Sequence, residues 1–208
     1  MGRHLKNLRG LGTHSSTSWS RVFALALLLV PATALPALAE QGSIYTTLQD
    51  GTTVNTNVYS SKADVYLNGG PQNDNGKGLD DGDHYFQVTE PSGATLLSTD
   101  GIECRRVKVV NGRIFGVSGA GGCSTHLEGI LNPANGSKGV QLLPYDDTPN
   151  NGGEYKVWLI PVGEYDAAGC AANHGFCSGS TKTDNFKVKP DTATVKVCKF
   201  NDCDGNGI

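Results

Sequence analysis

The sequence predicts an all-β protein, an antiparallel β-sandwich of immunoglobulin-like or transthyretin-like type. Short runs of apolar and β-branched residues recur along the chain, and clusters of glycine, asparagine and proline separate them. Short strands at regular spacing with such turns between them are typical of sandwiches. Beyond residue 39 no stretch keeps helical periodicity for more than a turn. The length of this region suits one sandwich or two small ones.

The first part of the region contains two dipeptides that favour two-residue hairpins, Asp50-Gly51 and Asn111-Gly112. The first is expected to join strand 43–48 to strand 52–59, and the second to join strand 105–110 to strand 113–117. The loop 68–83 is rich in glycine, asparagine and aspartate. Further strands are predicted at 63–67, 84–89 and 95–98.

The second part continues the same rhythm, and Trp158 lies in the middle of one apolar run. Because its neighbours are apolar, Trp158 is expected in the core. If it is exposed, Trp158 or the tyrosine residues would instead suit stacking on a sugar ring. The strands predicted here span 140–143, 154–160, 185–189 and 192–200.

The N-terminus has the order of segments found in a secretory signal peptide. Residues 1–21 are basic without an acid, residues 22–30 are apolar, and Ala37-Leu38-Ala39 is a small-x-small cleavage site before Glu40. A retained membrane anchor is the alternative, but prolines at 31 and 36 interrupt an apolar run that is short for a span. We therefore expect residues 1–39 to be removed and the protein to be secreted or held at the cell surface.

Removal of this segment leaves an acidic chain. It takes away four basic residues and no acid, so 169 residues with a formal charge of −7 remain. Such a charge argues against nucleic acid or an anionic membrane as partner. No second apolar stretch follows that would span a membrane.

All six cysteines lie in the predicted mature chain, and an even number in an oxidising compartment favours disulfides. Six cysteines allow 15 pairings. We predict pairing between nearest neighbours, because each pair brackets a turn containing glycine or asparagine. The predicted pairs are Cys104–Cys123, Cys170–Cys177 and Cys198–Cys203.

The last seven residues match the first half of a calcium loop. Oxygen ligands at loop positions 1, 3 and 5, glycine at 6 and a carbonyl at 7 correspond to Asp202, Asp204, Asn206, Gly207 and Ile208. Positions 9 and 12 would fall beyond residue 208, so a calcium site is expected only where the chain continues. We therefore interpret residues 1–208 as the front of a longer protein. The alternative is an acidic tail with turn residues.

Three segments resemble exported bacterial surface proteins built from transthyretin-like or Cna B-type sandwiches: Asp64-Val-Tyr-Leu-Asn-Gly-Gly-Pro71, Asp81-Gly-Asp-His-Tyr-Phe-Gln-Val-Thr-Glu-Pro-Ser-Gly93 and Tyr155-Lys-Val-Trp158. The segment 199–208 is similar to the opening of an SdrD B-like repeat, and Cys203 at loop position 2 departs from that pattern. The resemblance implies a sandwich at 40–190 and a calcium-stabilised repeat beginning at 191–208. In that family calcium rigidifies a stalk of stacked repeats.

Several other side chains have the chemical character of metal ligands or nucleophiles. Cys170, His174 and Cys177 have zinc-ligand character, Cys123 lies near His126, and Ser118 sits in a loose nucleophile-elbow pattern. Disulfides are favoured over the two thiol sites, and the helix that an elbow requires is lacking. The acids Asp80, Asp81 and Asp83 are expected to form an acidic surface loop, with a second calcium site as alternative. His84 is expected to be an exposed strand residue.

These observations favour a non-enzymatic exported module that serves adhesion, display or spacing, with a protein or glycan as surface ligand. Two alternatives remain open: the accessory N-terminal domain of a secreted hydrolase, and a carbohydrate-binding sandwich.

Overall fold

The computed structural model describes residues 39–56, 58–71, 75–119, 123 and 125–190. Four short 3₁₀ turns and eight strands form its regular structure, and these ranges contain no α-helix. The strands are β1 (Ile44–Thr47), β2 (Tyr66–Gly69), β3 (Gly82–Thr89), β4 (Arg106–Val110), β5 (Arg113–Val117), β6 (Val140–Gln141), β7 (Glu154–Pro161) and β8 (Lys182–Lys187). The predicted fold class is confirmed.

The strands form two antiparallel sheets. The smaller sheet has the order β1-β2-β6, and the larger has the order β5-β4-β3-β7-β8. The long strands β3 and β7 lie at the centre of the larger sheet and pair without interruption from His84 opposite Pro161 to Thr89 opposite Lys156. This pairing provides the rigid backbone from which the loops extend.

The main core lies between the two sheets. Alternate residues of the central strands point into it, as the two-residue side-chain period of a strand requires, and residues of the smaller sheet meet them there. The fully buried members include Leu67, Phe86, Val88, Val107, Val157 and Leu159. Burial of each such side chain contributes about 1.5–3 kcal/mol. Because this one core joins both sheets, the described residues form one sandwich rather than two small ones.

A second apolar cluster lies on the outer face of the larger sheet. Tyr85, Trp158 and Ile160 project from β3 and β7 and are covered by the connection 162–181, whose Phe176 is completely buried. The indole Nε1 of Trp158 donates a hydrogen bond to Thr89 Oγ1 over 2.8 Å. Trp158 is therefore a core residue, as predicted, and does not offer a surface for sugar stacking.

The two predicted hairpins have different outcomes. Asn111 and Gly112 both adopt positive φ, at 51° and 75°, and join β4 to β5 as the dipeptide predicted. The strand predicted at 52–59 is wrong, since the segment makes only isolated bridges at Val54 and Tyr59. The chain does reverse at Asp50-Gly51, and Val54 makes one antiparallel bridge to Thr47 of β1. Asn55 at φ 51° then takes a left-handed conformation that interrupts an extended strand, so the continuous partner of β1 is β2.

Smaller differences have local causes. The predicted strand at 63–67 begins later, at Tyr66, because the Ser61 hydroxyl accepts the Ala63 N–H and stabilises a 3₁₀ turn. The segment predicted as strand 95–98 makes only single bridges at Leu96 and Ser98. The predicted strand 192–200 lies outside the described residues.

Candidate functional site

The predicted calcium ligands Asp202, Asp204, Asn206 and Ile208 lie outside the described residues, as do Cys198 and Cys203, so the half-loop stays a prediction. Within the described ranges, no three histidine, cysteine, aspartate or glutamate side chains are grouped to hold a metal ion. The same ranges contain no helix that is long and apolar enough to span a membrane.

Two of the three predicted disulfides are present in the structure. Cys104 is bonded to Cys123, and Cys170 to Cys177, with Cα–Cα distances of 5.2 and 5.3 Å. These bonds occupy the thiols that a zinc site with His174 or a pair with His126 would require. Two disulfides also indicate an oxidising, extracellular environment.

The acids that precede and begin β3 bind protein donors. The Asp81 carboxylate accepts the Gly112 N–H over 2.7 Å and thereby fixes the turn of the β4–β5 hairpin. Asp83 accepts hydrogen bonds from the side chains of Arg106, Lys108 and Ser118. Burial raises the pKa of Asp83, but the bonds from Ser118 and Lys108 outweigh it and hold that pKa below its ordinary value. Asp81 and Asp83 therefore act as structural acceptors.

Ser118 donates its hydroxyl proton to the Asp83 carboxylate over 2.8 Å. A serine nucleophile needs a general base, most often a histidine, at this distance. A hydroxyl held by a carboxylate on the outer face of a sheet supports the structural interpretation of Ser118.

His84 is buried, and the prediction of an exposed strand residue is wrong. Its Nε2 lies 3.1 Å from Glu40 Oε2, and both side chains are only 1% exposed. Glu40 Oε1 accepts the Asp80 N–H over 2.8 Å. Burial raises the pKa of the Glu40 carboxyl, but these two hydrogen bonds, together with the charge interaction with His84 and a contribution from the Gly42 backbone, outweigh it and hold the pKa below 4.5. We call the Glu40 carboxylate with its partners His84 and Asp80 N–H the Glu40 latch.

A second buried ionic cluster joins Asp100, Arg105 and His126, whose side chains are 1–8% exposed. His126 Nε2 lies 2.9 Å from Asp100 Oδ2, and His126 Nδ1 lies 2.9 Å from the Gln141 carbonyl oxygen. Because a carbonyl only accepts, both contacts are satisfied when each ring nitrogen carries a proton. The His126 ring also meets Phe86 edge-on at 4.8 Å. With both nitrogens engaged, His126 has a structural role.

Sequence reasoning did not identify Glu40, Asp100 or Arg105. A single acid or arginine between strands looks like a surface residue in the sequence, since its partner lies far along the chain. Glu40 and His84 are separated by 44 residues, and Asp100 and His126 by 26. The one local signal was the position of Glu40 directly after the predicted cleavage site.

Asp184 on β8 connects the two sheets at their edges, because its carboxylate accepts the Thr46 N–H of β1 over 3.1 Å. Burial raises the pKa of Asp184 above its ordinary value of 3.8. Its charged form is therefore disfavoured in the folded protein, and this cost is present at neutral pH and disappears as the pH falls below 3.8.

We expect Asp184→Asn to leave stability unchanged or raise it by up to about 1 kcal/mol at pH 7, since the amide oxygen still accepts the Thr46 N–H and partial exposure limits the gain. Urea unfolding at pH 7 and pH 3 measures this, and the difference from wild type should shrink at pH 3. A loss above about 2 kcal/mol at pH 7 would contradict this interpretation.

A cleft of about 570 Å³ opens at one end of the sandwich, between three loops. Its floor includes the buried residues Tyr155 and Val188. Its walls carry mostly hydroxyl, amide and charged side chains, namely Ser60, Ser61, Lys62, Asp147, Thr148, Asn150, Asn151 and Lys189. This volume lies within the range of small-ligand sites, and the lining suits a polar ligand.

Internal bonds hold the cleft in shape. Lys62 Nζ donates to Asp147 Oδ1 over 2.7 Å and to the Tyr145 carbonyl over 3.0 Å, which ties the two walls together. The Tyr155 hydroxyl accepts the Thr148 N–H over 3.3 Å. The two walls, 60–63 and 143–155, are remote from each other in the chain, so no local pattern in the sequence indicates the cleft.

Gly153 closes the turn at the cleft wall in a conformation that other residues adopt at a cost. Its φ is +64°, and a Cβ there would lie 2.2 Å from the Val188 carbonyl oxygen. We expect Gly153→Ala to lower the free energy of unfolding by about 1–3 kcal/mol. Urea denaturation checks this against Gly179→Ala, where a Cβ meets nothing within 4 Å. Equal effects of the two changes would contradict the role assigned to Gly153.

Neither protein-family models, nor curated proteins, nor solved structures give a match to this chain.

Proposed function

We propose that this chain is an exported, non-enzymatic β-sandwich module of a larger cell-surface or secreted protein, serving adhesion, display or spacing. The observation that carries this proposal is the loop-built cleft on a disulfide-bonded two-sheet scaffold. Binding loops on a rigid scaffold are a common arrangement for recognition.

The contacts that the potentially reactive side chains make support the same proposal. His84 and His126 hold buried carboxylates, four cysteines form disulfides, and Ser118 binds Asp83. Each group serves the fold in the described part of the chain. The alternative of an accessory domain of a secreted hydrolase places the chemistry in another part of the protein and agrees equally with these contacts.

A carbohydrate-binding sandwich is the second candidate, and the lining of the cleft favours it. Hydroxyl, amide and charged groups at the walls match the hydrogen-bonding needs of sugar hydroxyls. Trp158 is buried and does not line the cleft, and Tyr155 at its floor is only 4% exposed, so recognition in this cleft would proceed through hydrogen bonds.

Binding of the mature protein to an array of cell-surface glycans and to an array of extracellular proteins tests the proposal. Binding to a defined glycan supports the carbohydrate-binding function, and binding to a protein supports adhesion to protein. Absence of binding on both arrays would contradict an adhesive function.

The calcium-stabilised repeat at 191–208 belongs to the proposal as well. Because loop positions 9 and 12 fall beyond residue 208, calcium should shift the melting temperature of residues 40–208 little. A rise of many degrees would contradict this assignment of the ligands.

A further inference from the structure

The Glu40 latch lies directly beside the predicted site of leader removal. Ala39 is exposed, whereas Glu40 is 3% exposed and its carboxylate contacts His84 Nε2 and the Asp80 N–H. The transition from outside to inside the folded domain therefore occurs across the one peptide bond that joins these residues.

The residues after Glu40 also contact the folded domain. Gly42 packs against the backbone of residues 78–79, where an added Cβ would lie 2.4 Å from Leu79 N. The Ser43 carbonyl accepts the Gly70 N–H over 2.9 Å, and β1 begins at Ile44. No free linker therefore separates Glu40 from the sheet.

A peptidase acts on backbone that is accessible and free of other bonds, which is why cleavage concentrates at exposed, loosely held segments. Residue 40 cannot lie in a peptidase active site while its carboxylate is buried against His84. Closure of the latch and cleavage beside it therefore exclude each other.

We propose that the Glu40 latch shields the Ala39–Glu40 peptide bond, so that a leader peptidase cuts this bond only before the latch closes. In this step water is added across the peptide bond and leaves a carboxylate on Ala39 and an ammonium group on Glu40. Leader removal thus precedes completion of the fold, and the chain crosses the membrane with its N-terminal segment unfolded.

The test uses the full-length precursor, folded and solubilised in detergent, with a purified leader peptidase. Three forms are compared: wild type, a variant with Gly-Ser-Gly-Ser inserted between Ala39 and Glu40, and His84→Gln. The insertion keeps the latch and moves the scissile bond away from it, and His84→Gln weakens the latch without altering the cleavage sequence. Glu154→Gln, at a half-exposed surface ion pair with Lys187, is the matched control.

We expect the inserted variant to be cleaved at least tenfold faster than wild type, His84→Gln to be cleaved faster than wild type, and Glu154→Gln at the wild-type rate. Circular dichroism and melting curves establish that each precursor is folded. If His84→Gln fails to fold, the comparison of wild type with the insertion still decides. Equal rates for these two would overturn the proposal, as would a first residue other than Glu40 in the exported protein.

Discussion

Replacement of Asp100 by alanine is expected to lower the free energy of unfolding by about 3–5 kcal/mol. The change leaves two buried side chains, Arg105 and His126, without the carboxylate that they contact. Burial lowers the pKa of the Arg105 guanidinium, and the charge of Asp100 is the larger of the two interactions that oppose this effect, the other being with Tyr165. Urea unfolding at pH 7, followed by circular dichroism, measures the loss.

The matched control is Asp147→Ala, which removes the carboxylate from an ion pair in which Asp147 is 83% exposed. Surface pairs of this kind contribute about 0–1 kcal/mol. If Asp100→Ala costs no more than the control, the buried cluster does not hold the Asp100 and His126 segments together as its geometry indicates.

Replacement of Phe176 by alanine is expected to cost about 3–5 kcal/mol, as large-to-small changes at fully buried aromatic residues do. Phe176 has no exposed surface and meets the rings of Trp158 and Tyr165 edge-on, at 6.4 and 5.8 Å between centroids. Its removal opens the outer face of the larger sheet to water. Because Trp158 is the single tryptophan after residue 39, its emission should shift to longer wavelength.

Phe115→Ala provides the control, since Phe115 is 48% exposed on the same sheet and surface changes cost within about 0.5 kcal/mol. An unchanged emission spectrum together with a small loss of stability in Phe176→Ala would show that the connection 162–181 does not cover Trp158.

The strands of the larger sheet could be predicted because their information is local. The alternating burial of β4 and β5 follows directly from residues such as Val107 and Val109, and β3 and β7 were recognisable as apolar runs. Asn111-Gly112 specifies a turn that few other dipeptides adopt. The prediction of a strand at 52–59 is wrong because of the backbone conformation of a single residue, which the sequence does not determine. Asparagine tolerates both extended and left-handed backbone, and Asn55 takes the second.

The candidate site was less predictable, because its parts are distant in the chain. The cleft forms where segment 60–63 meets segment 147–153, and nothing in the sequence of either segment indicates that the two are neighbours in the fold. His84 appeared exposed because its partner Glu40 is 44 residues away. A polar residue that pairs with one buried partner far along the chain produces no periodic pattern, so a single sequence does not reveal the pair.

The proposed binding role of the cleft is tested most directly by blocking it. Ser60 is exposed and lines the cleft, so Ser60→Trp fills the opening with a large side chain while the core stays unchanged. Ser178→Trp is the control, because Ser178 is exposed on the connection 162–181, away from the residues that line the cleft.

The affinity of both variants and of wild type is measured for the strongest glycan or protein ligand found on the arrays. We expect Ser60→Trp to weaken binding at least tenfold and Ser178→Trp to leave it unchanged. Equal binding by all three proteins would contradict the assignment of the cleft as the ligand site.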